Sequence, residues 1–188
     1  CIRDSVLDYG GLGQIKFLPR TDATYGGWGE NITDLPIIRY AEILLINAEA
    51  KAELGILTQN DLNTTVNLLR SRVEMPEMTM NVPIDPALEA LYPSVSGALK
   101  NVILEIRRER RVELAFEDHR FWDVRRWMIA PETLGTPLRG VVITKISDEE
   151  FEYKPIEVEK RTFEPKMYLY PIPQADLNTT GWVQNPLW

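Results

Sequence analysis

IRRERRVELAFEDHRFWDVRRW, Ile106 to Trp127, threads acids and arginines between aliphatic and aromatic residues at helical intervals. Just upstream, Leu99, Val102, Ile103 and Ile106 mark the core-facing side of a helix that starts near Gly97 and runs to about Glu117. Arg110, Glu113, Leu114 and Glu117 continue that same surface, so charge lies where a core helix carries aliphatic residues. Glu113 is within reach of Arg110 at a spacing of three, Arg120 folds back from the junction, and Asp123 accepts from it. Arg110, Glu113, Glu117, Arg120 and Asp123 therefore read as a structural ion network. Leaving one member of such a partly buried set unpaired costs on the order of 3 kcal/mol. The short helix that follows, closed by Pro131, has Phe121, Val124 and Met128 spaced as core, with Trp122 and Trp127 as anchors.

The same stretch has a chemical reading. Glu109, Glu113, Glu117, Asp123 and His119 supply carboxylates and an imidazole, the groups of acid-base catalysis or of a di-metal bundle. A di-metal bundle needs Glu-x-x-His units on separate helices, whereas this chain has a single histidine, and the interleaved arginines neutralise its acids. The expectation is a protein that is not an enzyme, with no catalytic residue, metal or cofactor. His119 reads as a hydrogen-bonding residue at a helix junction.

Working outward, IIRYAEILLINAEAKAEL from Ile37 to Leu54 is the strongest helix signal. Ile38, Ala41, Leu45, Ala48 and Ala52 form a stripe that Tyr40, Ile43, Leu44 and Ile46 broaden, and Gly55 stops the helix. Thr58 caps the next helix in a capping-box relation to Asp61; Leu62, Val66, Leu69 and Val73 line one face, and Pro76 ends it. Two helices joined so closely make an antiparallel hairpin of tetratricopeptide type. Residues 75–96 hold four prolines and read as a packing connector, with Met78, Met80, Leu91 and Tyr92 on its surface and Asp85 and Glu89 beginning a short turn.

Beyond Gly135 the period changes to two, in VVITKI and in FEYKPIEVEKRTF, which predicts an antiparallel ribbon with Pro155 at an edge or break. The tail from Lys166 to Trp188 has one helical turn near Asp176 and Leu177 and packs back onto the body. Residues 1–35 are an irregular opening segment, with an extended piece at Gln14 to Leu18. Tyr25, Trp28 and Asn31 lie there among glycines, placed either to stack on a flat ligand or to pin the loop to the helices. The fold class is mainly α: a tetratricopeptide-like helical hairpin plus further helices, with a small antiparallel β ribbon near residues 141–163.

The 188 residues fit a single domain, 1–188. A net charge of -7 with no basic stripe argues against nucleic acid as a partner, and no apolar run is long enough for a membrane-spanning helix. The only cysteine, Cys1, cannot form an intrachain disulfide. With no leader ahead of it, it reads as the point where a fragment begins, the alternative being a lipid-bearing mature terminus.

Four separated patterns then resemble one family in the right order. RYAEILLINAEAKAELG (Arg39 to Gly55), LNTTVNLLRSR (Leu62 to Arg72), the spaced charges and aromatics from Ile106 to Trp127, and LYPIPQADL with QNPLW are similar to the carboxy-terminal half of the SusD/RagB family. The resemblance implies a lipid-anchored, outward-facing protein of the outer membrane that binds a glycan or other nutrient over a TonB-dependent, SusC-like transporter, without catalysis. The membrane anchor would lie outside this chain, which would be the carboxy-terminal portion of a longer protein. Family members usually carry glycine at the position of Asp118, a left-handed spot. The ligand-binding candidates are Tyr25, Trp28, Asn31 and Tyr92. The alternative function is a helical scaffold that binds a protein partner and has no ligand site of its own.

Overall fold

The computed structural model describes Ile2–Arg3, Gly13–Gln14, Lys16 and residues 36–147 and 150–188. The chain divides into two compact units, Cys1–Arg120 and Phe121–Trp188.

In the first unit, β1 (Ile2–Arg3) pairs antiparallel with β2 (Gly13–Gln14), which takes up the start of the extended piece expected at Gln14. Helix α1 (Tyr40–Glu53) buries Ala41, Leu44, Leu45, Ala48 and Ala52 and packs on α5 (Lys100–Glu113). Arg39 is its extended N-cap, so Ile37 and Ile38 precede the helical phase and are exposed instead of joining the stripe. At the other end the Gly55 amide donates to Ala52 and the Ile56 amide to Lys51, with Gly55 at φ 71°, a Schellman motif that only a glycine adopts without strain.

The Thr58 capping box forms as expected: the Asp61 amide donates to Thr58 Oγ1 at 3.2 Å and the Thr58 amide to Asp61 Oδ2 at 2.8 Å. The helix it starts is broken, however, into α2 (Gln59–Asn63) and α3 (Val66–Ser71). Two consecutive β-branched hydroxyls cause the break. Thr64 Oγ1 donates to the Asn60 carbonyl at 3.0 Å and Thr65 Oγ1 to the Asp61 carbonyl at 2.5 Å, back-bonds that compete with helical geometry. Leu62, Val66 and Leu69 are buried, but Val73 lies past the end of α3 and is exposed.

Amide side chains then hold the connector. Asn67 donates to the Met78 carbonyl at 3.0 Å and accepts from the Met78 amide at 2.7 Å. Gln59 donates to the same carbonyl at 3.1 Å and accepts from the Met80 amide at 3.0 Å. Two side chains thus supply what a neighbouring strand would, and Met78 is buried, not exposed as expected. Asp85 caps α4 (Pro86–Leu91), with Pro86 in its first turn. Helix α5 ends at Glu113, earlier than expected, because Phe116 (φ 64°) and Asp118 (φ 61°) both turn left-handed.

Helix α6 (His119–Arg126) leads into the second unit, where Val124, Trp127, Ile129 and Ala130 are buried. Phe121 and Met128, expected in the core, are exposed; Met128 has φ 57° and lies beyond the helix, so the helical spacing does not reach it. After α7 (Ala130–Thr133), strands β3 (Leu138–Lys145) and β4 (Phe151–Glu159) pair antiparallel, with Ile143 opposite Tyr153 and Val141 opposite Pro155. In a two-stranded ribbon every strand is an edge, which is why Pro155 is tolerated.

A 3-10 turn (Pro165–Tyr168) and α8 (Gln174–Thr180) complete the unit, and the tail folds back on the turn's exit. Gln184 accepts from the Ile172 amide at 2.8 Å and donates to its carbonyl at 3.0 Å. Asn185 donates to the Tyr170 carbonyl at 2.5 Å, and the Trp188 indole to the Lys166 and Leu169 carbonyls, both at 3.0 Å.

Candidate functional site

The charged helix face resolves into a joint. Four carbonyls at the end of any α-helix lack helical partners and carry the negative end of its dipole. At the end of α5, Lys16 Nζ donates to the carbonyls of Glu113 (2.7 Å) and Ala115 (2.9 Å) and to the Glu117 carboxylate. Arg39 Nη2 reaches the Glu113 carbonyl at 3.1 Å, the Glu113 carboxylate at 3.0 Å and Glu117 Oε1 at 2.7 Å, while its Nε donates to Glu117 Oε2 at 2.8 Å. Arg72 closes on Glu113 from the other side at 2.7 Å. The hydrogen bonds that Arg39 donates to Glu117 and Glu113 raise it above its ordinary pKa. Burial pushes Glu117 up, but hydrogen bonds from Arg39 and Lys16 outweigh it and leave the carboxyl below its usual value.

Of the five residues expected in one network, Glu113 and Glu117 share this joint. Arg110 is 5 % exposed on the same helix. Arg120 Nη1 lies 3.5 Å from the Tyr92 hydroxyl, and Asp123 accepts from Arg126 Nε at 2.8 Å. His119 Nδ1 is 3.6 Å from Glu42 at the start of α1, a junction position. Lys16 and Arg39, the principal partners, come from segments far from the charged stretch. Arg39 heads the RYAE pattern, a visible signal, but nothing local marks Lys16.

Two cavities of about 430 and 440 Å³ lie beside this joint and share Arg70, Met75, Glu109 and Val112 in their linings. Arg70 bridges to Glu109 and also donates to the Pro76 carbonyl at 2.6 Å, so both hollows are lined by an ion pair that is held in place. Burial raises the Glu109 carboxyl above its ordinary pKa despite the Arg70 charge. Among the described residues no group of three or more His, Cys, Asp or Glu is placed to hold a metal ion.

Tyr25, Trp28 and Asn31 lie outside the described residues. Tyr92, expected on the connector surface, is 1 % exposed. It follows α4 directly, and the guanidinium of Arg107, itself paired with Glu53 at 2.9 Å, stacks over its ring at 5.1 Å from the centroid. A short helix unrecognised in the connector therefore folds this ring inward. Buried Glu105, held by Arg108 at 2.6 Å, is a further polar core position that the helical spacing did not single out.

Comparison with known proteins agrees with the motifs that this geometry explains. SusD-like protein P2 of Formosa agariphila is 36% identical over 106 residues, which is 56% of this chain and 19% of that protein. SusD-like protein P38 of the same organism is 32% identical over 114 residues, 61% of this chain and 21% of that protein. The chain thus spans about a fifth of the length of these curated relatives. The model of the SusD family matches residues 7–188, through the Arg39 to Gly55 helix, the charged joint and the amide-clamped tail alike, and the chain belongs to that family.

Proposed function

We infer that this chain is part of a cell-surface protein that binds an oligosaccharide or related nutrient and delivers it to a TonB-dependent, SusC-like outer-membrane transporter. The observation that carries this reading is the family match over residues 7–188. Within it the protein is a binder and not a catalyst, held outward-facing on the outer membrane by a lipid anchor. The arginine-paired acids fit that role, since each described carboxylate of the joint is committed to a cation. Sugar recognition needs an aromatic face for the apolar side of a ring and short polar groups for its hydroxyls, and the sequence supplies both in Tyr25, Trp28 and Asn31. Calorimetry of the alanine variants at these three positions, against glycans selected on an array, tests the assignment. Loss of affinity is expected, and unchanged affinity in all three removes these residues from the site.

A second reading, a scaffold that docks a protein, draws on one observation. Tyr40, Ile43 and Ile46 follow one another at helical spacing along α1 and are exposed. Such a face fits a neighbouring helix, as in repeat proteins. Pull-down with a SusC-like transporter, with and without Ile43→Glu, separates this reading from glycan capture.

A further inference from the structure

The second unit carries a row of planar groups that takes no part in the charged joint. Phe121 meets Trp122 edge to face, with centroids 5.1 Å apart and planes at 80°. The Arg125 guanidinium lies 5.2 Å from the Phe121 centroid and 5.0 Å from that of Tyr170. The order is Trp122, Phe121, Arg125, Tyr170. Both ends of the row are open, Trp122 being 59 % and Tyr170 61 % exposed.

The row is fixed in place. Arg125 donates from Nη1 to the Met167 carbonyl at 2.7 Å and from Nη2 to the Tyr168 carbonyl, so the guanidinium cannot swing away from either ring. Asn185 holds the Tyr170 carbonyl at 2.5 Å, and Gln184 clamps Ile172 just beyond. A ring immobilised before binding loses little conformational freedom when a ligand stacks on it. A buried packing residue needs no such support, and an exposed aromatic with none would be mobile.

The chemistry of the row selects a ligand class. Exposed indole and phenol rings offer flat apolar faces, which match the C–H side of a pyranose. The guanidinium has five N–H donors, two of them committed to carbonyls, and the remainder of that fork suits hydroxyl or carboxylate oxygens at the ring's edge. A purely aliphatic patch would favour a protein surface; three rings with a cation among them favour a polyhydroxylated ligand. We propose that Trp122 and Tyr170, braced by Arg125 and Phe121, form a subsite for a pyranose oligosaccharide. This rests on the glycan-binding reading above.

The test uses the whole chain and hexasaccharides of β-1,3-glucose, β-1,4-glucose and mannuronate, with affinities measured by calorimetry. For any hexamer bound by the parent, Trp122→Ala and Tyr170→Ala are each expected to weaken binding about fivefold or more, and Tyr170→Phe to stay within about twofold. Tyr170→Leu keeps apolar bulk without the aromatic face and is expected to behave as Tyr170→Ala; circular dichroism verifies that each variant is folded. Binding unchanged in folded Trp122→Ala and Tyr170→Leu overturns the subsite and leaves the glycan-binding reading standing. A parent chain that binds none of the hexamers overturns the subsite together with glycan binding by this chain.

Discussion

Arg39 and Glu117 meet as a two-point fork, Nε to Oε2 at 2.8 Å and Nη2 to Oε1 at 2.7 Å, across 78 residues of chain. The fork ties the N-cap of α1 to the turn after α5, the two helices that form the main packing of the first unit. Truncating either partner leaves a largely buried charge short of its mate. Arg39→Ala and Glu117→Gln are each expected to lower unfolding free energy by about 2–3 kcal/mol, and the double variant by less than their sum. Arg39→Lys is expected to recover only part of the loss, because an ammonium cannot make the planar fork. Denaturant unfolding of the parent and the four variants checks this; additive losses in the double variant would show that the fork couples nothing.

Two carboxyls of the first unit, Glu117 and Glu109, respond to pH in opposite directions. Glu117 is depressed in the folded chain, so its contribution is complete above the ordinary glutamate value and is lost as pH falls through its lower folded value. Glu109 is raised by burial, so its ionised form costs stability above the raised value, and protonation relieves that cost as pH falls. Melting temperatures measured between about pH 3 and 7 should therefore diverge. Glu117→Gln is expected to lose ground to the parent as pH rises, whereas Glu109→Gln is expected to gain. Parallel slopes for the two variants would contradict the assignment.

Asn67 acts as a piece of strand. Its amide satisfies both the N–H and the C=O of buried Met78, and nothing of the same shape but apolar can do so. Asn67→Ala is expected to cost about 2 kcal/mol, since a buried backbone group left without a partner bears its full desolvation penalty. Asn67→Asp keeps the acceptor for the Met78 amide and loses the donor to its carbonyl. Hydrogen exchange at the Met78 amide is expected to accelerate strongly in Asn67→Ala and weakly in Asn67→Asp.

Much of the first unit was legible from local chemistry. Gly55, the Thr58–Asp61 box and the buried stripe of α1 depend on residues a few positions apart, and their spacing states them. The α2–α3 break was also written locally, in Thr64 and Thr65, but two hydroxyls must both turn back for the helix to part, and helical spacing alone favours continuity. The joint was half legible. Its acids stand out on a core-facing stripe, yet Lys16 lies 101 residues from Glu117, and no periodicity reports a contact of that kind. Tyr92 misled for a related reason, because its burial follows from Arg107 and Arg120, not from its own proline-rich surroundings.

Asp118 holds φ 61° on an exposed turn, a backbone that an L residue with a side chain enters at a cost. Aspartate is among the residues that tolerate it best, which limits the strain, and glycine brings extra freedom to the unfolded chain. The strain outweighs that freedom at a left-handed site, so Asp118→Gly is expected to stabilise by about 0.5–1 kcal/mol. Asp118→Val, with a branched side chain at the same φ, is expected to destabilise by at least as much. A thermal melt that places Gly below Asp would mean that the aspartate has a stabilising partner in the unit.

Gln184 governs how Tyr170 is presented. Its amide takes the place of a strand beside Ile172, which sits between Pro171 and Pro173 where ordinary sheet pairing is barred to both neighbours. Removing it in Gln184→Ala frees the Ile172 backbone and one end of the tail, while Asn185 and Trp188 still reach the Tyr170, Lys166 and Leu169 carbonyls. Local loosening is therefore expected in place of global unfolding. Protease cleavage is expected to appear within residues 169–188, with the far-ultraviolet dichroism nearly unchanged. Because the Arg125 stack on Tyr170 depends on the position of that segment, Gln184→Ala should also weaken any glycan affinity that Tyr170→Ala weakens, and Gln184→Glu, which keeps the acceptor for the Ile172 amide, should weaken it less. An intact, protease-resistant tail in Gln184→Ala would assign the hold on Tyr170 to Asn185 and Trp188 instead.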